Sequence, residues 1–597
     1  MAETATTSDL IVERLLEWGV EHCFGIVGDQ VNGFVEAMRV RADRFRFVPV
    51  RHEEAAVFAA VGYAKFTGRP AAVLATAGPG ALHLLNGLYD ARMDGVPVIA
   101  ITGLAQHDVI GTHMLQDVPS DRLFSEVCMY DERVMGRAHA VPVTDLAVRS
   151  ALANRTPSHL AIAVDVQNQT EDASSPKNVP GHLAVSRTPS IVLPPAERLA
   201  AAAELLGSCE RIAICAGAGA RGSGDLVEAV AERLDAPIVK AGLGKDAVPD
   251  DSSFTTGGMG LIGTPASREV LAACDGFLII GSATSYAEFW PEPGQARAVQ
   301  IDVNPDRIGL RYPVEVGLVG HSGPTLEALL PLLDARTAHP FLDQARRDVA
   351  ADRALLAEQA ADTRQPMRPQ VVTHHLSRLL PDRAIVTGDA GANTFVSSRL
   401  VLRRGMNFSF SGTLASMGSA VPYAIGAQIA YPDRPVVAVL GDGAMAMGLG
   451  ELATLAQHDL PITVVVLRNG ALALEIWEQT ALQGNPQYGC ELPLIRFADA
   501  ARACGIAGWS VQDPAQVPDT LAAALAHDGP ALVEVVVDAL EAPFGETLKP
   551  EQAAKIATAL DRGEPAAGAI ARNLLEPSRR AASPGVRAAA ADLERHA

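Results

Sequence analysis

Short apolar runs recur along the chain, each followed by a turn rich in Gly, Pro or Asp and then by an Ala- and Leu-rich segment of helical spacing. Examples are residues 71–76 (AAVLAT), 161–165 (AIAVD), 211–216 (RIAICA), 277–281 (FLIIG), 298–302 (AVQID), 384–388 (AIVTG), 435–441 (PVVAVLG), 461–467 (PITVVVL) and 531–537 (ALVEVVV). A strand with one wet face alternates apolar and polar residues. These runs are apolar throughout, which predicts buried parallel strands covered by helices on both faces. The alternation of run and helix predicts an α/β chain of three doubly wound parallel-sheet units.

Two stretches break the pattern. Residues 166–196 are polar and Pro-rich, and residues 335–369 are charged and end in prolines. Cutting there predicts a first domain over 1–185, a middle domain over 186–340, a linker over 341–364, a third domain over 365–560 and a tail over 561–597. The length of 597 residues suits such a division, since a single core rarely grows much beyond about 250 to 300 residues. Lys and Arg number 49 against 69 Asp and Glu, a net charge of −20, which argues against nucleic acid or an anionic membrane as the main partner.

Seven cysteines without a C-x-x-C pair fit a reducing cytoplasm and give neither a disulfide framework nor a zinc site. The first residues are acidic where a signal peptide would be basic. The longest apolar runs, 97–103 and 462–467, fall short of the ~18 to 20 residues of a membrane span. A soluble, cytoplasmic protein is expected.

Candidate chemistry begins where 435–441 enters Gly441-Asp442-Gly443-Ala444 and where 461–467 ends at Asn469-Gly470. A strand opening into Gly-Asp-Gly at a helix start points backbone N–H groups and the positive helix end at one place, where a phosphate can sit. Asp442 and Asn469 close neighbouring strands on one sheet edge, where open α/β sheets bind ligands. A carboxylate, an amide oxygen and free carbonyls suit Mg²⁺, which keeps part of its shell for phosphate and water.

This pattern resembles the diphosphate-binding motif of thiamine diphosphate enzymes. The resemblance implies that Asp442, Asn469 and the carbonyl of Ala471 hold the metal. In the first unit, Arg51-His52-Glu53 opens a helix and resembles the place where that family keeps the glutamate facing the cofactor's aminopyrimidine, so Glu53 takes that role. Glu54 points about 100° away and does not share it. The carboxyl of Glu53 would favour the pyrimidine tautomer with a basic exocyclic nitrogen, and burial would tune it for proton exchange near neutral pH. The resemblance further assigns Gly28, Thr76, Pro79 and Asn86, and from the third unit Gly391, Ser416, Met417, Gly441, Gly443 and Ala444, to the cofactor. Met417 is the apolar support beneath it. Gln116 and Glu478 match residues at the substrate, making Glu53, Gln116 and Glu478 the catalytic set; Leu115 replaces the usual aromatic before Gln116.

Residues 217–222 (GAGARG) satisfy G-x-G-x-x-G, a weak dinucleotide signal by itself. More of the middle unit, from 236 to 320, resembles the FAD-binding domain of pyruvate oxidases and quinone-dependent pyruvate dehydrogenases. That resemblance assigns Gly217, Gly219, Arg221, Lys245, Gly281, Ser282, Asp302, Asn304 and Ile308 to FAD, and His321 stands where the family usually has Asp.

It implies decarboxylation of pyruvate or a close 2-oxo acid, electrons passing through FAD to a quinone or O₂, and release of acetate or acetyl phosphate. A non-redox carboligase or lyase of the acetolactate synthase type and a non-catalytic nucleotide-binding relative are the alternatives. A homodimer or homotetramer is implied, because the two halves of the thiamine site come from different subunits. The tail, 586–597 above all, has too few large apolar side chains for more than weak peripheral contact with the inner face of a membrane.

Overall fold

The computed structural model describes residues 5–171, 174–178, 191–338, 340–541, 550–566, 568–570 and 573. The boundary expected near 185 and the tail segment 586–597 lie outside the described residues.

Three six-stranded, all-parallel sheets carry the chain. The first holds β1 (His22–Gly25), β2 (Arg46–Pro49), β3 (Ala71–Ala75), β4 (Val98–Leu104), β5 (Tyr130–Val134) and β6 (Ser158–Ala163) in the order β2-β1-β3-β4-β6-β5. The second holds β7 (Ile212–Ala216), β8 (Ile238–Lys240), β9 (Thr255–Gly258), β10 (Gly276–Ile280), β11 (Arg297–Asp302) and β12 (Val316–Val319), in the order β12-β11-β10-β7-β8-β9. The third holds β13 (Ile385–Gly388), β14 (Asn407–Ser409), β15 (Val436–Gly441), β16 (Ile462–Arg468), β17 (Ala507–Val511) and β18 (Ala531–Val536), in the order β14-β13-β15-β16-β18-β17. The predicted apolar runs are these strands, and β3, β4, β7 and β10 are buried at every residue.

The first and third sheets share one strand order, while the middle sheet, read from its other edge, has the dinucleotide-fold order 3-2-1-4-5-6. In such sheets the connections depart in opposite directions at one point, leaving a crevice at the strands' C-terminal ends. That point lies between β1 and β3, between β7 and β10, and between β13 and β15. Gly28 and Thr76, Gly217 and Gly281, and Gly391 and Gly441 follow or end those pairs of strands.

The first and third domains pack through two helices that are apolar almost all round, Glu53–Thr67 and Ala420–Ala430. Their backbones nearly touch: a Cβ at Gly62 would lie 2.6 Å from Tyr423 Cα, and one at Gly426 only 2.0 Å from the Ala59 carbonyl oxygen. A buried polar lock stands beside this crossing, with Lys65 Nζ donating to Asp94 at 2.6 Å, to Tyr423 Oη at 2.8 Å and to the Phe410 carbonyl at 2.8 Å.

Where a linker is expected, residues Pro340–Ala360 form a helix. Leu342, Ala345 and Ala360 are its only described buried residues, so its remaining faces keep the charge that reads as a linker. It packs on helices Pro265–Ala273 and Pro369–Leu379, bridging the middle and third domains. The helix Pro550–Asp561 packs against a single π turn at Glu478–Leu482. All seven cysteines are free, and no described helix is long and apolar enough to cross a membrane.

Candidate functional site

The third-domain crevice is built around Asp442. Strands β15 and β16 pair in register, Gly441 against Leu467, which sets the end of one beside the turn after the other. Asp442 Oδ2 accepts the N–H groups of Asn469 at 3.0 Å and Gly470 at 2.7 Å, and Oδ1 accepts that of Gly443 at 3.0 Å. Asn469 Oδ1 accepts the Ala471 N–H at 3.0 Å. Burial pushes the Asp442 carboxyl above the usual carboxylate range, against those three donors.

The crevice opens as a cleft of about 1450 Å³ lined by Gly391, Asn393, Met417, Asp442, Asn469 and Ala471, among others. Buried Asn393 Oδ1 has no partner there. Met417 leans on the helix start, its Cε 3.1 Å from where a Cβ on Gly443 would stand. The oxygen-rich donor set of Asp442, Asn469 and the Ala471 carbonyl fits a hard cation such as Mg²⁺. Asp389, at the end of β13, is fully buried and grips the Met417 loop through the N–H groups of Gly418 at 2.9 Å and Ala420 at 2.8 Å. Burial pushes its carboxyl up to about 6.

The first-domain cluster is assembled separately. Glu53 begins its helix with His52 as the cap, whose Nδ1 accepts the Glu54 N–H at 3.2 Å. The Glu53 side chain is 12% exposed, and His83 Nδ1 lies 2.9 Å from its Oε2. Gly80 faces the other oxygen, since a Cβ there would come 3.2 Å from Oε1. Gly28 packs on Thr76, where a Cβ would meet Thr76 Cβ at 2.5 Å. Gly78 (φ +65°), just before Pro79, presses on Gln116. Gln116 has a positive φ of 60° and a buried Oε1 without a partner; a strained backbone with an orphan acceptor is what a ligand-facing residue can carry.

Asn86 bridges the domains, donating to Glu54 and, at 2.9 Å, to Ser416 Oγ. Within one chain, however, no described residue of the first domain lines the 1450 Å³ cleft. Glu53 therefore does not line the cleft that holds Asp442.

A second cleft, of about 1260 Å³, lies between the middle domain and the other two, lined by Gly242, Met259, Gly281, Ser282, Arg307 and Arg311 among others. Ala218 lines it, and the flanking Gly217 and Gly219 pack tightly on Gly281: a Cβ at either would strike Gly281, at 2.2 Å from its carbonyl oxygen and 2.7 Å from its Cα respectively. Asp302 is buried, its carboxyl raised by desolvation, and accepts the Asn304 N–H at 2.9 Å. Asn304 in turn caps the turn at Asp306, and Ile308 packs on Gly317.

Neither Arg221 nor Lys245, the two cations that the resemblance assigns to FAD, lines this cleft. Arg221 is bound to Asp246 at 2.6 Å and to the Phe408 carbonyl at 2.9 Å. Lys245 is buried on Asp250 at 2.9 Å and the Leu400 carbonyl at 2.7 Å, and burial pulls it down to about 8. Arg307 and Arg311 supply the cleft's positive charge instead, from the turn after β11; the alternation N-P-D-R-I-G-L-R was the signal available in sequence. His321 is taken up locally, its Nδ1 accepting the Val192 N–H at 3.0 Å.

The two clefts adjoin. Ala390, Gly391, Phe395 and Leu474 line both. Glu478 is half-buried in the π turn beyond Leu474, raised by burial and by neighbouring Glu475, and it is Glu475 that lines the first cleft.

Family comparison finds three matches in order: the N-terminal TPP binding domain of thiamine pyrophosphate enzymes over residues 5–123, their central domain over 199–329, and their C-terminal TPP binding domain over 389–535. Among curated relatives, YdaP of Bacillus subtilis, described as a thiamine pyrophosphate-containing protein, is 31% identical over 89% of this chain and 92% of its own. The pyruvate oxidase of Lactiplantibacillus plantarum is 30% identical over 90% of each chain. An acetolactate synthase large subunit from Methanocaldococcus jannaschii, so described, is 27% identical over 90% of this chain and 92% of its own.

Proposed function

The chain belongs to the thiamine pyrophosphate enzyme family, and from that premise we propose that it oxidatively decarboxylates pyruvate or a close 2-oxo acid. Electrons would pass through FAD to a quinone or O₂, and acetate or acetyl phosphate would leave with CO₂. The observation that carries this reading is the pair of adjoining clefts, which share Ala390, Gly391, Phe395 and Leu474. A flavin in the middle-domain cleft would sit one side chain away from the reaction in the other.

Asp442, Asn469 and the Ala471 carbonyl would hold Mg²⁺ on the diphosphate, with Gly441 to Ala444 against the phosphates and Met417 under the rings. When bound, thiamine diphosphate supplies a nucleophilic carbon and an electron sink for loss of CO₂, and FAD accepts two electrons. Glu53 would exchange a proton with the cofactor's pyrimidine, while Gln116 and Glu478 orient the substrate. Gly217, Gly219, Gly281, Ser282, Asp302, Asn304 and Ile308 would shape the flavin site, with Arg307 and Arg311 facing its diphosphate. Because the first-domain cluster and the Asp442 cleft stand apart in one chain, the working site needs Glu53 from a second copy, in a homodimer or homotetramer. The protein would work in the cytoplasm, with at most peripheral membrane contact.

The acetolactate synthase relative favours a second reading, a non-redox carboligase whose flavin takes no electrons. Anaerobic titration with pyruvate decides between them. Bleaching of the flavin absorbance as CO₂ is released supports oxidation; CO₂ release with an unchanged flavin spectrum supports the carboligase.

A further inference from the structure

Helix Pro79–His83 ends on a side chain that the proposed chemistry has not used. His83 Nδ1 lies 2.9 Å from Glu53 Oε2. A carboxylate can only accept, so whenever Glu53 is a carboxylate the hydrogen of this contact is carried by Nδ1, and Nε2 is the ring nitrogen left for a second partner. The His83 side chain is 46% exposed against 12% for Glu53, so the imidazole spans from a buried carboxyl to water.

The ring is also held. It stacks on His52 with centroids 4.4 Å apart and planes at 29°. His52 is fixed in turn by the Glu54 N–H on its Nδ1 and by its own backbone N–H, which donates to Glu451 Oε1 at 3.1 Å. Ligand atoms of His52, Glu53 and His83 lie within 4.8 Å of one another. Near-parallel stacked rings, however, direct their lone pairs side by side rather than at one point, and His52 Nδ1 is already taken. The arrangement suits a proton better than a metal ion.

We propose that His83 carries protons between bulk water and Glu53. A water molecule gives a proton to Nε2 and leaves as hydroxide to the bulk while the Nδ1 proton moves to Oε2, so that an N–H and an O–H bond form as the water O–H and the Nδ1–H bonds break. The reverse transfer restores the carboxylate. This inference rests on the reading of Glu53 as the proton-exchanging group, and His83 acts through Glu53 as a positioning residue that also conducts.

The tautomer is tested in the cofactor-free chain labelled with ¹⁵N-histidine, where long-range ¹H–¹⁵N spectra are assigned by the signal lost in His83→Ala. Nδ1 protonated and Nε2 bare is expected; the opposite tautomer overturns the proposal. Conduction is tested in the loaded enzyme by the rate at which the thiamine C2 proton exchanges into D₂O. His83→Gln keeps a donor to Oε2 but has no second titrating nitrogen, and exchange should slow about a hundredfold. In His83→Ala, exchange should be equally slow and recover when imidazole is added. Parent-like exchange in His83→Gln, or an alanine variant that imidazole leaves slow, overturns the relay. Parent-like exchange in Glu53→Gln would instead sink the reading of Glu53, and the tautomer measurement would still judge the hydrogen bond.

Discussion

Glu53 and Asp442 stand at the C-terminal edges of two sheets with the same strand order, yet their surroundings make them opposites. Asp442 accepts three backbone N–H groups, from Gly443, Asn469 and Gly470. Such donors neither gain nor lose protons near neutral pH, so they fix the carboxylate's geometry and offer it no proton. Glu53 has one oxygen on the His83 imidazole and the other toward Gly80, and an imidazole, unlike a backbone amide, has a second ring nitrogen through which a proton can enter or leave. The shared topology selects where a carboxylate is presented. In the function proposed above, the chemistry of its partners selects whether it would hold a cation or move a proton.

That contrast is broken most severely by exchanging what each residue can do. Asp442→Ala removes the anionic ligand and strips three N–H groups of their acceptor. Affinity for thiamine diphosphate with Mg²⁺, read by calorimetry, should fall about a hundredfold or more. Glu53→Gln keeps size and polarity but cannot exchange a proton. Turnover should fall about 10² to 10⁴-fold while cofactor affinity stays within a few-fold of the parent. If Glu53→Gln instead lost the cofactor and kept its turnover at saturation, the division between a holding and a moving carboxylate would be wrong.

Much of this was legible in sequence because it is local. Each apolar run became a strand, and Gly-Asp-Gly and Asn-Gly follow β15 and β16 in register. What escaped depends on distant partners. Lys245 looks like a phosphate ligand until folding buries it against Asp250 and the carbonyl of Leu400, in another domain. Arg307 and Arg311 reach the cleft only because the turn after β11 opens into it. The pairing of His83 with Glu53 joins two helices that no periodicity connects. Helix Pro340–Ala360 buries so few residues that its pattern resembles a solvated connection.

The joint between the two domains can be loosened without touching either carboxylate. A Cβ on Gly426 would lie 2.0 Å from the Ala59 carbonyl oxygen, and backbone cannot swing aside as a side chain does. Gly426→Ala should cost about 1 to 3 kcal/mol and lower the thermal midpoint, with the first and third domains no longer unfolding together in calorimetry. Gly207→Ala is the control, for nothing lies within 4 Å of a Cβ there. An unchanged midpoint in Gly426→Ala would mean that the two helices do not cross so closely.

The smallest effect concerns a third carboxylate, which sharpens the contrast from within the Asp442 side. Asp389 is fully buried and holds the Met417 loop through backbone N–H groups, and burial pushes it from 3.8 up to about 6. Between about pH 4 and pH 6 the folded chain therefore keeps a proton that the unfolded chain has released. The contribution of Asp389 to stability falls as the pH rises through that window and is constant above it. Asp389→Asn removes the slope, so the midpoint of the parent minus that of the variant should decline from pH 4 to pH 6 and then stay level. A level difference across the window would show that Asp389 is ionised throughout, with the N–H groups of Gly418 and Ala420 outweighing its burial, and that its grip on the Met417 loop does not change with pH.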